Sequence, residues 1–414
     1  MTTLIINIGK LVNIREGDTL LRGSELSVLP YIDDAYLLIE DGVIADWGPM
    51  SGLNDRVHQK PSDVTDVCGG MVLPAWCDSH THLVFAGSRE NEFVDKIKGL
   101  SYAEIAARGG GILNSARKLG ETTEDQLFSQ SWSRLQELTL LGTGAIEIKS
   151  GYGLTVENEI KMLKVIRRLK EKSTVPIKAT FLGAHTYPLE FKENHEGYLR
   201  LIIEEMLPVI AAEKLADYID VFCENGFFSA EEMERICVAG GALGLKPKLH
   251  VNQLNSIGGI EAGIRNKAVS LDHLETLTDE EISLLSKSDV VSTLLPTAAF
   301  FLRMGYQPAR KLIDCGAAVA LASDYNPGSS PSGNMNFVAS LSCIQMRMLP
   351  EEVINAGTVN GSYAMELQDK VGSISKGKLA NLMITRPVPS IAFIPYAFGS
   401  NLISRVMIRG EFIS

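Results

Sequence analysis

His80 and His82, one residue apart in Asp78-Ser79-His80-Thr81-His82, are the side chains of this sequence best placed to do chemistry. They follow the apolar run Met71-Val72-Leu73-Pro74-Ala75-Trp76-Cys77. In an extended segment residues two apart project from the same face, so the two imidazoles point together. Neutral imidazole nitrogen is a good ligand for zinc, iron or nickel. A lone His-x-His is a weak signal, and its weight depends on whether later segments bring more ligands to the same place. Three do: His185 ends the run that starts at Ile177, His250 lies near the end of Pro247–Val251, and His273 follows Ala268–Leu271. These five are among the seven histidines of the chain, and only His58 and His195 lie elsewhere. A carboxylate joins them in Ser323-Asp324-Tyr325-Asn326-Pro327-Gly328-Ser329, which follows Ala318–Ala322. Taken alone, Asp324 would be a turn residue; beside the histidines it reads as a candidate ligand.

Positioning such a set takes a framework of strands. Apolar runs recur at Met71–Trp76, Ala145–Lys149, Ile177–Gly183, Tyr218–Phe222, Pro247–Val251, Ala268–Leu271, Val290–Leu294 and Ala318–Ala322. Amphipathic stretches such as Glu157–Lys172 and Glu231–Leu243 lie between them. Strands alternating with helices predict an α/β fold, specifically a (β/α)8 TIM-like barrel. In that fold active sites sit at the C-terminal ends of the strands, where the polar residues of this chain gather. Lys149-Ser150-Gly151-Tyr152-Gly153 and Glu224-Asn225 fall at such ends too. The termini read differently. Ala35–Glu40, Asp41-Gly42 and Val43–Gly48 form a hairpin pattern, and Ile403–Ile408, Arg409-Gly410 and Glu411–Ile413 form another. The expected division is a small β-rich domain built from residues 1–69 and 376–414, flanking a barrel of residues 70–375.

Composition narrows the function classes. With a net charge of −11 the chain is not expected to bind nucleic acid through bulk electrostatics. No apolar run approaches a membrane span, so no membrane association is expected. The six cysteines are scattered, with no Cys-x-x-Cys, and read as reduced thiols of a cytoplasmic protein. No Gly-x-Gly-x-x-Gly follows the first strand, which argues against a dinucleotide fold.

The order His-x-His, later His, later His, then Asp after the last strand resembles the amidohydrolase superfamily of metal-dependent hydrolases. The segments His80–Phe93, Lys149–Leu154, Gly183–His185 and Ser323–Ser329 narrow the resemblance to a branch of it, and the match spans nearly the whole chain. That resemblance implies one divalent metal ion, zinc or iron, on His80, His82, His250 and Asp324. It implies a small anionic substrate, 4-imidazolone-5-propanoate, opened hydrolytically to N-formimidoyl-L-glutamate in histidine degradation by a metal-activated water. Arg89 would hold the propionate, its guanidinium matching a carboxylate bidentately, although Arg in Arg-Glu-Asn-Glu would otherwise read as a surface ion pair. Tyr152, His185, Gln253, Asn326, Gly328 and Ser329 match further substrate contacts, with Gly328 and Ser329 expected to offer backbone N–H groups to an anion and His185 to assist the oxyanion. Gln253 stands where several relatives carry Glu, and an amide cannot serve as a general base. Proton transfer is therefore assigned to Asp324, with His273 orienting the water or the leaving nitrogen. The family it resembles is often dimeric, so a homodimer is one expectation, although the sequence shows no interface for it. A related deaminase acting on a neutral base would have no use for Arg89, and a barrel kept only as a scaffold would be expected to lose ligands. Gly109-Gly110-Gly111 reads as either a loop over the site or a plain turn.

Overall fold

A computed structural model of the chain describes residues 2–57, 61–100, 104 and 110–413. His58 and Gly109 lie outside the described residues. Eight parallel strands run in sequential order round the barrel: Trp76–Asp78, Thr143–Lys149, Ile177–Ala184, Tyr218–Cys223, Lys246–Val251, Ser270–His273, Val291–Leu294 and Val319–Leu321. The second to fourth are buried along their whole length apart from Lys178, as expected for strands covered by helices on one side and packed inside the barrel on the other. Helices occur where the amphipathic stretches predict them, at Val156–Lys172 and Ala230–Ala242. The second of these is started by a reciprocal cap, in which Ser229 Oγ accepts from Glu232 N–H and the Glu232 carboxylate accepts from Ser229 N–H.

The eighth strand returns to the first through its extension. Asp324 N–H donates to His80 O (3.0 Å) and His82 N–H donates to Tyr325 O (2.9 Å), with Thr81 and Tyr325 bridged in parallel. Barrel closure at this rim is thus made by the segments that carry three of the expected ligands.

The terminal segments form a second sheet. Its order is Glu411–Ile413, Ile403–Ile408, Leu382–Thr385, Met71–Pro74, Thr2–Val12, Tyr31–Glu40 and Val43–Pro49, with Asp63–Asp66 pairing Thr2–Val12. Both expected hairpins are present. Asp41 and Gly42 have φ of 49° and 80°, and Arg409 and Gly410 repeat the pattern at 49° and 78°, which suits the right-handed twist of the flanking strands. A Cβ on Gly42 would lie 2.6 Å from Arg409 O, so the two turns meet where only glycine fits. One difference from expectation concerns the apolar run before His80. It is two strands, not one: Met71–Pro74 joins the terminal sheet past the expected boundary at residue 69, and only Trp76–Asp78 enters the barrel. Pro74 lacks an N–H, which favours the end of a ladder over its middle. Among the described residues no helix is long and apolar enough to cross a membrane.

Candidate active site and metal centre

His80, His82 and His250 each offer a ligand atom within 4.8 Å of the others, and so do His80, His273 and Asp324. His82 Nε2 lies 3.3 Å from His250 Nε2, and Asp324 Oδ1 lies 3.5 Å from both His80 Nε2 and His82 Nε2. The tautomers follow from the groups behind two of the rings. His80 Nδ1 donates to Asp272 Oδ2 (2.7 Å) and His250 Nδ1 donates to Asp220 Oδ2 (2.8 Å). A proton on Nδ1 leaves a lone pair on Nε2, the arrangement in which a carboxylate supports a metal-bound histidine. Burial first, then neighbouring positive groups, hold His80, His82 and His250 well below the ordinary imidazole range, so the rings are neutral.

These donors fit a divalent ion on two observations. His80 Nε2 is buried without a hydrogen-bond partner. The lone pair of His250 Nε2 faces His82 Nε2 at 3.3 Å, and His82 Nδ1 is buried without a hydrogen-bond partner, so the His82 ring is free to turn its own lone pair toward a cation shared with His250. Nitrogen and carboxylate donors together suit zinc or iron. Burial pushes the Asp324 carboxyl up to about 7; a cation beside it acts in the opposite direction.

The donors open into a cavity of about 390 Å³. Arg89 lines it, with its side chain only 11% exposed, so the guanidinium is not a surface group. It is nonetheless paired: Arg89 Nε donates to Glu92 Oε2 (3.0 Å), and Glu92 Oε1 accepts from Gly111 N–H (3.0 Å). The ion pair expected of Arg89 is therefore present, but it lies in the cavity wall and not on the surface. The guanidinium also covers Gly328, where a Cβ would lie 2.2 Å from Arg89 Nη1. Gly111, with φ of 83°, precedes the helix Ile112–Glu121 and marks its start.

Two expectations are corrected here. Gly328 N–H and Ser329 N–H do not face the cavity as free donors, because both donate to Asn326 Oδ1 (2.8 Å each). The Asn326 side chain ties the turn shut, its Nδ2 donating to Asp324 O and Ser329 Oγ (2.7 Å each). His185 Nδ1 donates to Gly151 O (2.9 Å), and burial lowers the ring to about 4. A neutral ring in that tautomer accepts at Nε2 and does not donate to an oxyanion.

Tyr152, Gln253 and His273 line the same cavity. Burial opposes a charged His273, but the carboxylates of Glu275, Asp324 and Asp272 outweigh it and raise the ring above the ordinary value. Tyr152 is positioned by Glu159, whose buried carboxylate accepts from Gly151 N–H, Gly153 N–H and Leu154 N–H (3.1, 2.7 and 3.0 Å). Removing this anchor strands three buried donors, so Glu159→Ala is expected to lower unfolding stability by about 3 kcal/mol. Urea denaturation measures this loss, and a change under about 1 kcal/mol would show the loop to be held by other contacts.

The sequence reading missed the supports. Asp220 sits mid-strand in Tyr-Ile-Asp-Val-Phe-Cys and Lys96 lies on the helix Glu90–Ile97, where its Nζ donates to Gly328 O at 3.4 Å. A charge inside an otherwise apolar barrel strand was the available signal for Asp220. Lys96 carried none, since exposed lysines are ordinary on helices.

The barrel, the second sheet and the rim cluster define a metal-dependent hydrolase of the amidohydrolase class. A model of the Amidohydrolase family matches residues 230–413. Guanine deaminase of E. coli shares the fold, with a TM-score of 0.75 over 100% of this chain and 99% of that one, at 14% identity. At the level of sequence, the chain is 56% identical over 414 residues to the imidazolonepropionase of Flavobacterium johnsoniae, 100% of both chains. It is 40% identical over 391 residues to that of Clostridium tetani, 94% of this chain and 93% of the relative. The chain belongs to the imidazolonepropionase family.

Proposed function

We propose that this protein opens 4-imidazolone-5-propanoate to N-formimidoyl-L-glutamate by hydrolysis, as a step of histidine degradation. The observation that carries the reading is one cavity faced by both the histidine–aspartate cluster and the Arg89 guanidinium, in a chain of this family. The substrate needs both: donors that hold a metal near its ring amide, and a cation for its propionate.

His80, His82, His250 and Asp324 would hold the ion. Bound there, a divalent ion supplies Lewis acidity and lowers the pKa of water toward neutrality. Arg89 takes the propionate, and Tyr152 and Gln253 contribute to the walls against which the ring is oriented. Gln253 can donate and accept but cannot take a proton at neutral pH, so Asp324 serves as the proton shuttle through its carboxylate oxygens. His185 accepts from a ring N–H at Nε2. His273, with Nδ1 3.4 Å from Glu275 Oε1, orients the leaving nitrogen. Asn326, Gly328 and Ser329 shape the turn beneath Arg89, and Ser329 Oγ is 3.3 Å from Asp324 Oδ2. The same reading assigns residues 1–69 and 376–414, with the strand Met71–Pro74 that joins their sheet, to the small domain and the remainder of 70–375 to the barrel. It places the enzyme in the cytoplasm, a location supported by the absence of any disulfide among the described cysteines.

Zinc- or iron-loaded protein given freshly generated substrate is expected to consume its ultraviolet absorbance, yield formimidoylglutamate and stop on chelation. Persistence of the absorbance with metal-loaded protein would sink the assignment and direct the search to other cyclic amides.

A further inference from the structure

Beneath the rim lies a buried charge cluster that the reaction leaves unused. Lys149 Nζ, fully buried on the second strand, donates to Glu147 Oε1 (2.8 Å) and Asp220 Oδ2 (2.9 Å) and sits 3.6 Å from Asp272 Oδ2. A second buried ammonium, Lys248 Nζ, donates to Ser270 Oγ (2.7 Å) and Ala364 O (2.9 Å). Lys248 lies 3.2 Å from Glu147 Oε2 but 4.0 Å from Asp272 Oδ2.

The atoms matter more than the charges. Asp220 Oδ2 accepts from His250 Nδ1, and Asp272 Oδ2 accepts from His80 Nδ1. Lys149 therefore faces the same two oxygens that set the two rings. The other oxygens are fixed independently, Asp220 Oδ1 by His250 N–H (3.0 Å) and Asp272 Oδ1 by Ser270 Oγ (2.6 Å). Lys149, Asp220 and Asp272 come from the second, fourth and sixth strands, the alternation by which one barrel layer is filled. His80 and His250 come from the first strand's extension and the fifth strand, which supply the layer above.

We propose that Lys149 is a positioning residue for metal binding: by bridging Asp220 Oδ2 and Asp272 Oδ2 it locks the rings of His250 and His80 in one mutual geometry. Without the ammonium, two like-charged buried oxygens lose the cation that joins them. They separate, and each carries its histidine with it. Lys248 lacks this bridging role: it lies 4.0 Å from Asp272 Oδ2 and pairs otherwise with Glu147 and not with Asp220, whereas Lys149 hydrogen-bonds Asp220 Oδ2 and lies 3.6 Å from Asp272 Oδ2. The inference rests on His80 and His250 being ligands.

The test compares Lys149→Met, Lys248→Met and His250→Ala by competition of Zn2+ against a chelating dye, with the folded fraction measured by circular dichroism. Each lysine variant removes a buried ammonium from the same cluster, so a merely structural role would weaken both alike. The expected result is a loss of zinc affinity of about 10–100-fold in Lys149→Met, against less than about threefold in Lys248→Met. Unchanged affinity in Lys149→Met, or equal losses in the two, would overturn the proposal. Undiminished binding in His250→Ala would overturn the ligand assignment and this inference with it, a result distinguishable from failure of Lys149 alone. Should Lys149→Met not fold, 15N-lysine spectra of the unaltered protein decide. Zinc loading is expected to shift the Lys149 ammonium resonance more than that of Lys248, and an unmoved Lys149 resonance would count against the proposal.

Discussion

His250→Ala is expected to lower kcat/KM by roughly 10⁴-fold, with the folded protein retained. The size follows from what the ring supplies. Its Nε2 is one of three nitrogens in the candidate ligand set, 3.3 Å from that of His82, and alanine leaves two nitrogens and a carboxylate. Three protein ligands are the fewest that zinc catalytic sites use, so the ion loses its fourth anchor and the geometry that anchor fixed, and a hydrolysis that depends on metal-lowered water acidity loses that term when the ion is displaced. Retention of the fold follows from Asp220. Its Oδ2 loses His250 Nδ1 but keeps the Lys149 ammonium at 2.9 Å, so no uncompensated buried charge is created of the kind that costs about 3–5 kcal/mol. Zinc uptake and thermal melting should therefore separate, the first collapsing while the second moves by a few degrees. Near-normal turnover in the variant would remove His250 from the reaction.

The separation between ligand and support also explains what the sequence could reveal. His80, His82, His185, His250, His273 and Asp324 were legible because polar residues at strand ends have no packing reason to recur there. The barrel was legible from the alternation of apolar runs with amphipathic stretches, and seven of its strands fall close to the predicted runs. The first did not. In Met71–Cys77 continuous apolarity hides a change of sheet at Ala75, because both sheets bury the strand on each face and hydrophobicity alone cannot tell them apart. Lys149 and Lys248 were illegible for another reason. A lysine is ordinarily exposed, and only three-dimensional closure shows that the partners of Lys149 come from its own strand and from the fourth and sixth. The Asn326 turn failed in its detail. Asn-Pro-Gly-Ser predicted a turn with free N–H groups, whereas the asparagine side chain satisfies two of them locally, as Asn side chains do in turns.

Arg89→Ala is expected to raise KM for the propionate substrate by about 10²–10³-fold and to change kcat by less than about tenfold. Two effects add. The substrate loses the guanidinium that pairs with its carboxylate, and the pocket keeps a carboxylate of its own. Glu92 Oε1 remains anchored by Gly111 N–H at 3.0 Å after Arg89 is gone, so Glu92 then presents an uncompensated negative charge near the incoming propionate. Lys96, 3.4 Å from Gly328 O, offsets part of that repulsion but lacks a planar fork. The double variant Arg89→Ala/Glu92→Gln should accordingly recover about tenfold in KM by removing the repulsion without restoring the pair. An analogue carrying an uncharged arm should be turned over equally by the unaltered protein and Arg89→Ala, because neither effect acts on it. Steady-state kinetics on both substrates checks these expectations. Equal KM values for the propionate substrate in the two proteins would mean that the carboxylate is bound elsewhere in the cavity.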